Sequence, residues 1–213
     1  MPVCLASTSP ARLMLMRQAG IEPRLESPNV DEDAVVQAVE AEQGHALTPS
    51  EHVLLLARRK AADVAGRLAA EGFDGLVIGG DSMFELSGVV YGKPHTPERA
   101  VARWRDMRGR TGVLHSGHSV HRVSADGSYE AHAVAEARVT FASDITDGEI
   151  DAYVATGEPL HVAGAFTVDS LGGAFIESVD GDPSTVVGMS LSTVRRLVRD
   201  LGVDWPSLWN RGA

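Results

Sequence analysis

A chain of 213 residues, 44% hydrophobic and 23% charged, can bury a substantial core and reads as soluble and globular. Its formal net charge of -10 argues against nonspecific binding to a nucleic-acid backbone, so a small anionic substrate would need a local basic pocket helped by a divalent metal. No run reaches the roughly 20 apolar residues of a membrane span, and "MPVCLASTSP" lacks a signal peptide's basic start and long apolar centre, so the expected location is cytoplasmic. Cys4 is alone, which excludes an intrachain disulfide and suits a small buried hydrophobe.

Taken in chain order, "PVCLAS" reads as a short strand, and Ser9 with Pro10 as the N-cap and first turn of a helix that Gly20 stops. The chain re-extends through "EPRLESPN", and a second helix is predicted from Asp33 to Gln43. Thr48 and Glu51 have capping-box spacing around Pro49, and Val53, Leu54, Ala57, Ala61, Val64 and Leu68 follow as a helical stripe. "GLVIGG" is a buried-strand candidate with Asp81 expected at its C-terminal end. Thr96 and Pro97 open a helix that Gly109 ends, and the segments flanking "SADG" form a long antiparallel pair. Thr146 with Glu149 is another capping box, "AGAFTVDSLGGAFIESV" reads as a hairpin around Gly172 and Gly173, and Ser190 caps a last helix through Leu201. Interleaved helices, strands and hairpins predict a mixed sheet, with no linker or repeat separating independent domains.

Several familiar chemistries are excluded. "GVVYGKP" has too short a glycine spacing for a phosphate-binding Walker loop, with Pro94 where a metal-binding hydroxyl belongs. Neither a dinucleotide-binding G-x-G-x-x-G nor a G-x-S-x-G elbow occurs. His115, His118 and His121 suggest a metal site, but on one strand His118 points away from the other two, which lie roughly 20 Å apart. Solvent-facing or hydrogen-bonded histidines are the better expectation.

Lysine is rare here, with Lys60 and Lys93 the only lysines among 19 basic residues. Where arginine serves almost everywhere, lysine marks sites needing a compact ammonium on a flexible stem, and both residues are candidates for phosphate oxygens. "ARRKAA" could equally be a solvated helix face. Among the acids, Asp31, Glu32 and Asp33 could serve the start of a helix, while Asp81 lies where α/β sheets tend to place ligands. If Glu32 and Asp81 converge, they could hold Mg2+ or Mn2+ against phosphate oxygens, which points to phosphoryl chemistry.

"LASTSPARLMLMRQAGI", "VDED", "ARRKA", "VIGGDS…GKP" and "EIDAYVATGEPLHVAGAF…GDPSTVVGMSL" occur in this order, and together the chain resembles the Maf family of nucleoside triphosphate pyrophosphatases over nearly its whole length. The resemblance implies a single Maf-like domain over residues 1–213, an α/β fold of the Maf/ITPase-like type. That fold has an elongated mixed β-sheet flanked by helices and a cleft between two lobes. It also implies frequent homodimers and hydrolysis, dependent on Mg2+ or Mn2+, of a nucleoside triphosphate to the monophosphate and diphosphate. Family members are proposed to clear non-standard or excess nucleotides, and some are linked to septum formation. A regulatory binding protein in cell division with vestigial catalysis is the alternative.

By the same resemblance Asp81 is the general base, and Ser7, Ser9 and Arg12 reach the phosphates from a strand-to-helix turn suited to anions. Glu32 matches the second carboxylate, which with Asp81 would hold the metal, and Lys60 and Lys93 match the two lysines. The chain departs from the usual pattern at Ala11, where an arginine is common, and at Ser82, where threonine often follows the catalytic aspartate. By the resemblance Asp169 aligns with the glutamine of the subgroup cleaving dTTP and UTP, and the "HV" of His161 and Val162 replaces the usual aspartate before "AG". A carboxylate only accepts hydrogen bonds where an amide also donates, so base preference is expected to differ and no pyrimidine specificity is assigned. The alternative is that Asp169 is a solvated hairpin residue and base selection is made elsewhere.

Overall fold

The computed structural model describes residues 1–210. In chain order the elements are β1 (Val3–Ala6), α1 (Pro10–Gln18), β2 (Arg24–Glu26), α2 (Glu32–Gln43), α3 (Pro49–Ala70), β3 (Gly75–Leu86), β4 (Val89–Tyr91), α4 (Pro97–Met107), β5 (Thr111–Ser124), β6 (Gly127–Phe141), α5 (Asp147–Ala155), β7 (Ile176–Gly181), α6 (Pro183–Val187) and α7 (Leu191–Asp200). Helices α1, α3 and α4 start alike. A hydroxyl residue (Ser9, Thr48, Thr96) accepts the N–H of Arg12, Glu51 or Arg99, and a proline fills the next position, where its missing N–H costs nothing. The two capping boxes form as expected at Thr48 with Glu51 and Thr146 with Glu149.

Among the described residues the strands form one mixed sheet in the order β2-β1-β3-β5-β6-β7, with β4 on β3. β1 runs parallel to both neighbours, with Cys4 opposite Arg24 and Val77, whereas β4 and β7 pair antiparallel to β3 and β6. The chain clusters into two compact units. The first comprises Met1–Asp81, Ser116–Ala135 and residues 188–210, and the second Ser82–His115 and Glu136–Val187. In the first unit Cys4, Ala6 and Val77 pack against Val64, Ala65 and Leu68 of α3. The second has an aromatic core in which Trp104 meets Phe141, Tyr153 and Phe175 edge-on, and its indole N–H donates to the Ala165 carbonyl at 2.7 Å.

Two expectations fail. Asp81 is not at a strand end: β3 continues to Leu86, because after Gly79, its last pairing with β1, it goes on to pair with β4 from Phe84. Nor is the Gly172–Gly173 segment a hairpin. Residues 171–175 form a 3-10 turn, and the strand after it pairs with β6, from Ile176 opposite Phe141 to Gly181 opposite Ala137. The cause is Glu158, whose carboxylate accepts from the hydroxyls of Tyr153, Thr167 and Ser170 and from the N–H groups of Leu171 and Gly172. A side chain on Gly172 would lie 2.6 Å from the Tyr153 hydroxyl, so glycine there serves close packing.

Candidate active site

The site in the first unit begins with two glycines. A Cβ at Gly117 would sit 2.2 Å from the Val53 carbonyl oxygen, and one at Gly79 would sit 2.6 Å from that of Ala57. Helix α3 therefore lies directly on the backbones of β3 and β5. Its buried stripe includes Val53, Ala57, Ala61, Val64 and Leu68, and it also includes Lys60, whereas Arg58 and Arg59 are exposed. "ARRKAA" is thus not a uniformly solvated face.

The close approach delivers the Lys60 ammonium to two acids. It donates to Asp81 Oδ1 at 2.8 Å and lies 2.8 Å from Glu32 Oε1. Asp81 is 15% exposed and Glu32 48%, so one carboxylate is largely withdrawn from water and the other stands at the rim. Glu32 is held there because Asp31 caps α2, accepting the Ala34 N–H at 3.0 Å, which puts Glu32 at the first helical position.

Across the β1–α1 turn, Ser7 Oγ accepts the Ser9 N–H at 3.1 Å and Arg12 Nη1 at 3.3 Å. A hydroxyl that accepts twice keeps its proton for donation. Ser9 spends its oxygen on the Arg12 N–H, as an N-cap. Arg12 Nε donates to the Gly188 carbonyl at 2.8 Å, which fixes the guanidinium plane. Burial pulls the Arg12 pKa below its ordinary value, and the Asp81 and Glu32 carboxylates oppose that shift. Two cations and two carboxylates are thereby grouped in one electrostatic neighbourhood beside a helix N-terminus.

The first unit holds Ser7, Ser9, Arg12, Glu32, Lys60 and Asp81; Ser82, Lys93 and Asp169 belong to the second. Ser82 is half-buried on β3, Lys93 is exposed between β4 and α4, and Asp169 is exposed in the loop organised by Glu158. Gly188 is a participant that sequence could not reveal, because it acts through a carbonyl that every residue type possesses. Gly79 and Gly117 did carry a signal, namely glycine inside a strand pattern.

Among the described residues no three His, Cys, Asp or Glu side chains are grouped to hold a metal. Glu32 and Asp81, both within reach of one ammonium, nevertheless provide hard oxygen donors. Two carboxylates completed by substrate phosphates suit Mg2+ or Mn2+, which seldom need an all-protein cage.

The model of the Maf-like protein family matches residues 2–201. A protein of Leifsonia xyli named nucleoside triphosphate pyrophosphatase is 60% identical over 213 residues, covering 99% of this chain and 98% of its own length. Proteins of the same name from Rhodococcus jostii and Streptomyces avermitilis are each 49% identical, covering 96% of this chain and 94% and 93% of their own lengths. The match takes in every element that builds the Lys60–Asp81 site, and the chain belongs to the Maf-like protein family.

Proposed function

We propose that this chain hydrolyses a nucleoside triphosphate to the monophosphate and diphosphate, with Asp81 as general base. The observation that carries the reading is the Lys60 ammonium shared by Asp81 and Glu32, in the unit that also holds the Arg12 guanidinium. The names of the similar proteins support the same reaction.

In this mechanism the Asp81 carboxylate accepts a proton from water as the water oxygen bonds to the α-phosphorus. The bond from that phosphorus to the bridging oxygen breaks, and diphosphate leaves with the electron pair. Arg12 and Lys60 stabilise the negative charge that grows on the phosphate oxygens, and Ser7 and Ser9 orient them from the helix N-terminus. By the family resemblance, Lys93 and Ser82 are further candidates for the phosphates and Asp169 for base selection. A Mg2+ or Mn2+ ion held by Glu32 and Asp81 would supply charge neutralisation at the phosphates. Family membership further supports a homodimer working in the cytoplasm on non-standard or excess nucleotides. No helix among the described residues is long and apolar enough to cross a membrane.

The test is a panel of standard and modified nucleoside triphosphates with Mg2+ or Mn2+, assayed for diphosphate release by the unaltered chain and by Asp81→Asn. Release by the unaltered chain, lost in a folded Asp81→Asn, is expected. Retained hydrolysis removes Asp81 as base, and no release from any triphosphate favours a binding protein.

A further inference from the structure

His118 is fully buried in the middle of β5. The strand pleat puts it on the same face as Ser116 and opposite Gly117, which meets α3. Its Nε2 lies 2.9 Å from the backbone nitrogen of Ser190. A backbone N–H can only donate, so Nε2 is the acceptor in this contact. Ser190, itself buried, is the N-cap of α7 and stands two residues beyond Gly188, whose carbonyl holds Arg12 Nε at 2.8 Å. On the other side, Ser116 Oγ lies 3.4 Å from His118 Nε2 and 3.4 Å from the Asp81 carbonyl oxygen, so its one proton serves either acceptor.

We propose that His118 is a positioning residue for the anion site: by accepting the Ser190 N–H it fixes the Gly188–Ser190 segment, and through the Gly188 carbonyl it aims Arg12. Packing alone does not call for histidine at a fully buried position, where an apolar side chain of similar volume costs less to desolvate. What an apolar residue lacks is an acceptor for the buried Ser190 amide, and a lost hydrogen bond to a buried donor is costly. The Gly188 carbonyl must lie in line with Nε of Arg12, and a guanidinium displaced by a fraction of an ångström no longer matches phosphate oxygens as a fork. The ligand is the diphosphate portion of the substrate, so the consequence for catalysis rests on the pyrophosphatase reading.

The experiment compares two amides. In His118→Gln the side-chain oxygen can reach the place of Nε2, whereas in His118→Asn it falls short. Binding of inorganic diphosphate is measured by calorimetry, and KM and kcat with whichever nucleoside triphosphate the unaltered chain cleaves fastest. His118→Asn is expected to raise the diphosphate dissociation constant and KM by about tenfold with a smaller change in kcat, and His118→Gln to stay within about twofold of the unaltered chain. In an Arg12→Ala background, His118→Asn should add no more than about twofold. Equal losses in the two amides, or a full further loss without Arg12, would overturn the proposal. Should His118→Asn not fold, Ser190→Pro removes the same donor at a residue whose φ of −70° already suits proline, with the same rise in the diphosphate constant expected and no rise counting against it. If the unaltered chain cleaves no triphosphate, the pyrophosphatase reading fails, while the diphosphate titrations still decide the role of His118.

Discussion

Lys60 reaches Asp81 at 2.8 Å from a position on the buried stripe of α3 where helical spacing alone would put an apolar residue. Burying an ammonium is costly unless partners compensate, and here Asp81 and Glu32 do so together. Such an arrangement is a poor way to stabilise a helix against a sheet. It is a good way to keep a positive charge and a carboxylate in fixed register where a polyphosphate must be bound and attacked.

Replacing Lys60 by Met should therefore do two things. With one phosphate-stabilising cation removed, kcat/KM is expected to fall by about 10²–10³. The carboxylates then lack their ammonium, so Mn2+ should raise the thermal midpoint of Lys60→Met more than that of the unaltered chain. Lys60→Arg should not restore activity, because a planar fork cannot replace a compact ammonium between two carboxylates. An Mn2+ shift no larger in Lys60→Met would mean that Glu32 and Asp81 are not the metal ligands.

Gly117→Ala tests the contact that places Lys60. A methyl group 2.2 Å from the Val53 carbonyl must push α3 away from β5, since backbone cannot rotate aside as a side chain can. The expected cost is about 1–3 kcal/mol in a urea titration, with a loss of kcat that remains when the protein is assayed well below its unfolding midpoint. Gly66→Ala is the control on the same helix: nothing lies within 4 Å of the added carbon, so stability should be unchanged or higher and activity retained. Equal activity in both variants would detach Lys60 placement from the Gly117 contact.

Local chemistry made much of the fold legible. The hydroxyl-proline starts of α1, α3 and α4 and the two capping boxes are short-range patterns, and each formed where its residues predicted. The rarity of lysine singled out Lys60, although its burial depends on Gly79 and Gly117, which lie on two other elements. Asp81 was recognised while its place in the strand was misjudged, because sequence does not show that β3 changes partner after Gly79. The supposed hairpin at Gly172 failed for a related reason: a carboxylate several residues earlier, not the glycine pair, decides the path of that loop. Carbonyl contacts such as that of Gly188 with Arg12 leave no trace in residue type.

Glu158 offers a pH-dependent measure of that loop. Burial by itself would raise its pKa, but hydrogen bonds from Thr167, Ser170, Tyr153 and the Gly172 N–H outweigh it and bring the value from 4.5 down to about 2. A depressed carboxylate binds fewer protons folded than unfolded, so its contribution is complete above pH 4.5 and is lost as pH falls toward about 2. Glu158→Gln removes this titration and replaces an acceptor of several donors by an amide with one accepting oxygen. The variant should be less stable near neutrality, and its urea midpoint should fall less steeply on acidification through that window. Some slope must persist, because Glu130, held by Arg58 and Ser119 in the first unit, is also depressed to about 2. Parallel acid profiles for the two chains would show that the Glu158 network does not stabilise the fold, and that the loop carrying Asp169 is held by packing alone.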